Sequence, residues 1–211
     1  MSTRLENSKT TKPSAGREPV GKHANRTIYV RAIVDAARLL SDRALPLDDA
    51  ETETPAGLES RQLFITTTAG TADQSTGAIA LKACAGDIIR FIAKSGSNNF
   101  EHAVVIADVR LIGDDEMILE GFSPATKSQA EISLASNTEQ APEAAEQTFW
   151  FWQCAVVRTG TLGFSLILAL YDRDEDGRPR FAGLYRWDLQ LTIHCRPASP
   201  KTTAQKQERT P

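Results

Sequence analysis

Between Phe149 and Trp187 the chain carries all three of its tryptophans and six of its eleven Phe and Tyr residues. The run Phe149-Trp150-Phe151-Trp152-Gln153-Cys154-Ala155-Val156-Val157 is followed by Gly163-Phe164-Ser165-Leu166-Ile167-Leu168-Ala169-Leu170-Tyr171. After an acidic turn comes Phe181-Ala182-Gly183-Leu184-Tyr185-Arg186-Trp187-Asp188. Aromatic and branched residues in short blocks fit a pleated, half-buried surface. The core closes in this last third of the chain, and it closes with strands.

Upstream, strand signals recur. Thr27 to Val34 is β-branched and bounded by polar residues. The following Asp35 to Leu40 reads either as an extension or as a helical turn, because alanine is a good helix former. Residues 41–60, with Pro46, Asp48, Asp49, Pro55 and Gly57, read as a long surface loop. Leu63–Thr68, Ala78–Ala83, Ile88–Ala93 and His102–Leu111 then follow as strands separated by Gly, Asp, Ser and Thr turns. Residues 123–147 are rich in Ser, Ala, Glu, Gln and Thr and read as an excursion, with Glu131-Ile132-Ser133-Leu134 a short edge strand inside it. No repeat and no helix-length amphipathic period is visible. The expected fold is all-β: a jelly-roll-like β-sandwich of short antiparallel strands.

Residues 1–25 and 196–211 hold too few large apolar side chains to offset the entropy of ordering, so both read as disordered tails. A single domain over 26–195 remains, large enough to stand without a disulfide or a structural metal. The three cysteines, Cys84, Cys154 and Cys195, are odd in number and form no Cys-x-x-Cys pair. With 24 basic and 27 acidic residues the net charge is −3, which leaves no electrostatic footprint for nucleic acid. No apolar run follows the basic N-terminal residues, and none reaches the ~18 residues of a membrane-spanning helix. The expected location is the cytoplasm, away from membranes.

The order of these signals resembles the PixA/AidA inclusion-body proteins of bacteria. The resemblance rests on an opening strand that runs into an aspartate (Val30-Arg31-Ala32-Ile33-Val34-Asp35) and a central Gly86-Asp87-Ile88-Ile89-Arg90. It also rests on Phe149-Trp150-Phe151 and a closing Tyr185-Arg186-Trp187-Asp188. It covers about residues 27–195. Family members usually place a proline after the Trp-Asp pair, where this chain has Leu189. The resemblance implies a compact sandwich abundant in the cytoplasm, sometimes packed into inclusions and often tied to cell-density or host-associated regulation. It implies no enzymatic activity and no set of functional residues.

The same motifs have physical readings. Gly86-Asp87 fits a turn, with glycine supplying positive φ and aspartate bonding the backbone. Arg90 alternates with Ile89 and Phe91, so it projects to solvent or meets a carboxylate. Alternation places Tyr185 and Trp187 on one face, with Arg186 and Asp188 on the other. The two aromatics either fill the core or, with Asp188, form a ligand-binding shelf for a sugar or small molecule. Asp172, Asp174 and Asp176 followed by Gly177 match the first half of a calcium loop. Position twelve is Gly183 and the flanks read as strands, so an EF-hand is excluded, leaving a calcium-bearing hairpin or a solvated turn.

Catalytic equipment is thin. His23 lies in a tail, His102 opens a strand beside Glu101, and His194 ends one. Cys154 sits in an apolar run where burial raises a thiol pKa. No nucleophile elbow, P-loop or dinucleotide fingerprint is present. The reading is a non-enzymatic, self-associating protein. A lectin-like module, with or without calcium, is the alternative, and an enzyme built on the acidic loops ranks last. Alternation in Phe149–Trp152 puts Trp150 and Trp152 on one face, one of them in the core, and the two phenylalanines on the other. A symmetric dimer that buries the second row accounts for such a strand.

Overall fold

The computed structural model describes residues 25–42, 54–113, 118–133 and 143–195. Strand β1 (Thr27–Val34) buries Ile28, Val30, Ala32 and Val34, while Arg31 and Ile33 are exposed and Tyr29 is half-buried. Asp35 then settles the ambiguity in favour of a helix. Its Oδ1 accepts the Arg38 N–H at 3.2 Å and its carbonyl accepts the Leu39 N–H, capping α1 (Ala36–Asp42). The remaining strands are β2 (Ala56–Gly57), β3 (Leu63–Thr67), β4 (Gly70–Ala72), β5 (Ala78–Ala83) and β6 (Ile88–Ser95). They continue with β7 (Ala103–Ile112), β8 (Leu119–Ser133), β9 (Glu143–Val156), β10 (Gly160–Arg173) and β11 (Pro179–Cys195).

Two sheets result, in the orders β3-β1-β6-β9-β8 and β4-β5-β11-β10-β7, with β2 added beside β11. Their inner faces share one core. Phe91 and Phe164 meet edge to face with centroids 5.4 Å apart, and Phe122 lies 5.6 Å from each. Edge-to-face contact aligns a positive ring edge with a negative ring face. The Trp152 indole donates to the Ile106 carbonyl at 2.9 Å and ties β9 to β7 of the opposite sheet.

The all-β sandwich is as expected from the sequence, but two details differ. The sheets are mixed: β6 runs parallel to β1, and β5 and β2 run parallel to β11. A parallel neighbour needs a crossover, and from β1 to β6 the chain makes one by way of β4 and β5 in the other sheet. Nor are the strands all short. The excursion expected over 123–147 is largely a ladder, running from Ser123↔Gln153 to Ser133↔Glu143. From Thr126 to Ala130 it is exposed on both faces, so no apolar alternation marks it. The rest of that excursion, 134–142, lies outside the described residues, as do both tails apart from Asn25.

Gly86-Asp87 ties the first sheet together. Gly86 has φ 89° and gives its N–H to the Val156 carbonyl. The buried Asp87 carboxylate accepts the N–H of Arg26 at 2.9 Å and of Cys84 at 3.0 Å, with the Arg26 guanidinium 3.7 Å away. The aspartate thus bonds backward to its own turn and sideways to the start of β1.

Candidate functional site: a gap between two strands

Strands β6 and β9 pair only from Ile88↔Ala155 to Phe91↔Trp152. Past that point β6 stays with β1 and β9 stays with β8, so the sheet opens into a wedge. The β6–β7 connection lies at the open end of the wedge. Asn98 and Asn99 take left-handed backbone (φ 57° and 67°), a conformation that short polar side chains tolerate. Asn99 Oδ1 accepts the N–H groups of Ser95 at 2.7 Å and Val104 at 3.1 Å, while its own N–H goes to Ser95 Oγ at 2.8 Å. Strand β6 is therefore ended by a side chain where another strand would have paired.

Two cavities of about 290 Å³ each meet this wedge and share Ile92, Lys94, Asn98 and Phe149. The first reaches inward to Phe91, Ala93, Val105 and Ile106. The second opens over the outer face beside Arg31 and Ile33. Trp150, 48% exposed, stands at the mouth, and the buried Oε1 of Gln147 has no hydrogen-bond partner among the described residues. Trp152 packs against the core, and Phe151 is buried on the other face under the Arg90 guanidinium, 4.4 Å from the ring centroid. Arg90 also donates to the Tyr29 hydroxyl at 3.4 Å. Its partners are an aromatic face and a phenol, where solvent or a carboxylate was expected.

The residues singled out from the sequence lie elsewhere. Tyr185 and Trp187 are buried, 5% and 7% exposed, and belong to the core, so they form no open aromatic shelf. Asp188 is on the opposite face, where it accepts the Ser165 hydroxyl at 2.5 Å and lies 3.4 Å from Arg186. Trp187 does line a shallow depression of about 280 Å³ together with Ser60, Ser75, Thr76, Arg186 and Asp188. Asp172, Asp174 and Asp176 do not converge. Among the described residues no three His, Cys, Asp or Glu side chains come together as a metal site requires. Asp174 Oδ1 instead accepts the Arg178 N–H at 2.7 Å inside the hairpin turn, where Gly177 has φ 74°.

Asp172 has a different role. Its Oδ1 lies 3.0 Å from His102 Nδ1 and its Oδ2 3.5 Å from Arg180. An ionised carboxylate only accepts, so the ring nitrogen donates. Partial burial opposes the ionised form, but the Arg173 N–H, the His102 ring and Arg180 outweigh it and hold the carboxyl below its ordinary value. The sequence shows His102 only as the start of a strand beside Glu101, because its partner is 70 residues away and the β7–β10 ladder, with Ala103 opposite Tyr171, brings them together. Burial pushes the Cys154 thiol up to about 12, far from a nucleophile's range.

No curated protein matches this chain. Among solved structures it is similar to the crystal structure of an inclusion body protein (PixA) from Burkholderia cenocepacia, with a TM-score of 0.65 and 21% identity, over 82% of this chain and 99% of that one. At that identity the likeness speaks for the fold. The solution structure of Amebosin, at 13% identity over 67% of this chain and 99% of that one, has a TM-score of 0.23, too slight to bear on the argument. The model of the PixA family, described as inclusion body protein, matches residues 26–193, four-fifths of the sequence and all but the last two residues of the final strand, and the chain belongs to that family.

Proposed function

We propose that this protein works by association and not by catalysis, as a cytoplasmic, self-associating member of its family whose smallest unit is a homodimer. The observation that carries this reading is Trp150, about half exposed beside strand edges that stop pairing at Phe91 and Trp152. Large aromatics left in water next to unpaired backbone favour contact with another chain. Sedimentation velocity at rising concentration tests it. The wild type is expected to sediment as a dimer or larger, and Trp150→Lys as a monomer with an unchanged melting temperature. A wild type that stays monomeric at every concentration overturns the reading. The link to cell density or host contact rests on the family resemblance, and protein levels that stay flat across growth phases and host exposure would remove it.

The depression at the rim of Trp187 supports a second reading, a lectin-like module. Hydroxyls of Ser60, Ser75 and Thr76 surround the Arg186–Asp188 pair there, the mixed polar chemistry that a sugar hydroxyl requires. A glycan array run with calcium and with chelator tests both the ligand and the cation. Silence in both conditions discards them.

A further inference from the structure

The wedge on whose edge the dimer reading rests also has the backbone geometry of a strand acceptor. Gly96 gives its N–H to the Val34 carbonyl on the β1 side. Backbone groups alternate in direction along a strand, so Ser95 and Ala93 turn theirs toward β9. Ser95 is capped by Asn99, which leaves Ala93. Continuing the register of the β6–β9 ladder puts Trp150 opposite Ala93, across a space that no described strand fills. The two cavities lie inward and outward of that space and share four residues. A strand laid in the gap sends successive side chains to opposite faces, one into each cavity.

We propose that this gap is an acceptor site for an extended peptide segment of a partner protein, in which apolar and acidic side chains alternate. The inner cavity takes the apolar side chains against Phe91, Ala93, Val105 and Ile106, with Asn99, Gln147 and Thr148 on its polar side. The outer cavity presents Arg31 and Lys94, neither of which forms an ion pair with a carboxylate among the described residues; Lys94 Nζ is held by Asn98 Oδ1 at 2.6 Å. Charge complementarity selects an acidic residue there. The buried Gln147 Oε1, without a partner among the described residues, accepts an N–H from the incoming backbone.

The test uses the full-length protein and a capped peptide of alternating valine and glutamate, with a valine–lysine peptide as control. Hydrogen exchange and tryptophan fluorescence are read together. The glutamate peptide is expected to slow amide exchange at Ala93 and Trp150 and to change the Trp150 emission; the lysine peptide is expected to do neither. Reversing both charges with Arg31→Glu and Lys94→Glu, two positions outside the core, is expected to weaken the glutamate peptide roughly tenfold and let the lysine peptide bind. Equal binding of both peptides, or no change in exchange at Ala93 and Trp150 with millimolar peptide, overturns the proposal. So does finding those amides already protected in the free protein and exposed only when the assembly is diluted apart, because a second copy then fills the gap. Because the dimer reading rests on the same Trp150, bound glutamate peptide is expected to shift sedimentation toward the monomer; a dimer that persists with the peptide bound supports this proposal and moves the dimer contact off Trp150.

Discussion

Two long hairpins of nearly equal length behave in opposite ways. Strands β10 and β11 pair from Gly160↔Ile193 to Arg173↔Pro179, and β8 and β9 from Leu119↔Val156 to Ser133↔Glu143. Yet β10 is buried at every position from Phe164 to Leu170, whereas Thr126 to Ala130 of β8 are all exposed. The difference is what lies alongside. β10 is flanked by β7 and β11 and faces Phe91 across the core. Beyond Phe91, β9 pairs only with β8 among the described strands. Hydrogen-bonded pairing sets the register of a hairpin, but a second layer fixes its position and supplies its stability.

Substitutions in the two hairpins should therefore differ by about an order of magnitude. Phe164→Ala removes a fully buried ring from the Phe91–Phe122–Phe164 cluster and should cost about 3–5 kcal/mol in denaturant unfolding. A loss below about 1 kcal/mol would break the comparison. Asp172→Asn, at the rim of the β10–β11 hairpin, should cost about 1 kcal/mol at neutral pH, since it disturbs the contacts with His102 and Arg180. The folded carboxyl titrates below its ordinary value, so this contribution is complete above the unfolded value of about 4. It should fade as pH falls through the lower folded value. A gap between wild type and variant that persists once the carboxyl is protonated would assign the wrong partner to Asp172. At the far end of the β8–β9 ribbon, Ser128 and Thr148 share an exposed hydroxyl–hydroxyl bond of 2.8 Å. Replacing both with alanine should change stability by less than about 0.5 kcal/mol. A larger loss would mean that the ribbon is packed against something in solution, which sharpens the search for its partner.

The hydrophobic pattern made the first hairpin legible. Apolar runs at 163–171 and 181–189, with Asp176-Gly177 between them, name both strands and their turn, and the structure folds them that way. The second hairpin was half hidden. Its aromatic half, Phe149–Trp152, announced a strand, and its polar half did not, because a two-stranded ribbon in water places no demand on side-chain period. The site followed the same divide. Tyr185 and Trp187 were read correctly as sharing a face, and that face is the core. The wedge was invisible, since it consists of a ladder that stops, and nothing in Ile92 or Trp150 states that the two strands carrying them separate.

The sequence by itself determined the all-β class, the core-forming blocks, the Gly86-Asp87 turn and the family, because each depends on residues close together in the chain. Tertiary structure alone decided the parallel pairings, the His102–Asp172 contact and the place where β6 leaves β9. Each of these joins residues dozens of positions apart, and the free energy that chooses among such pairings comes from packing across the two sheets. That energy has no local signature.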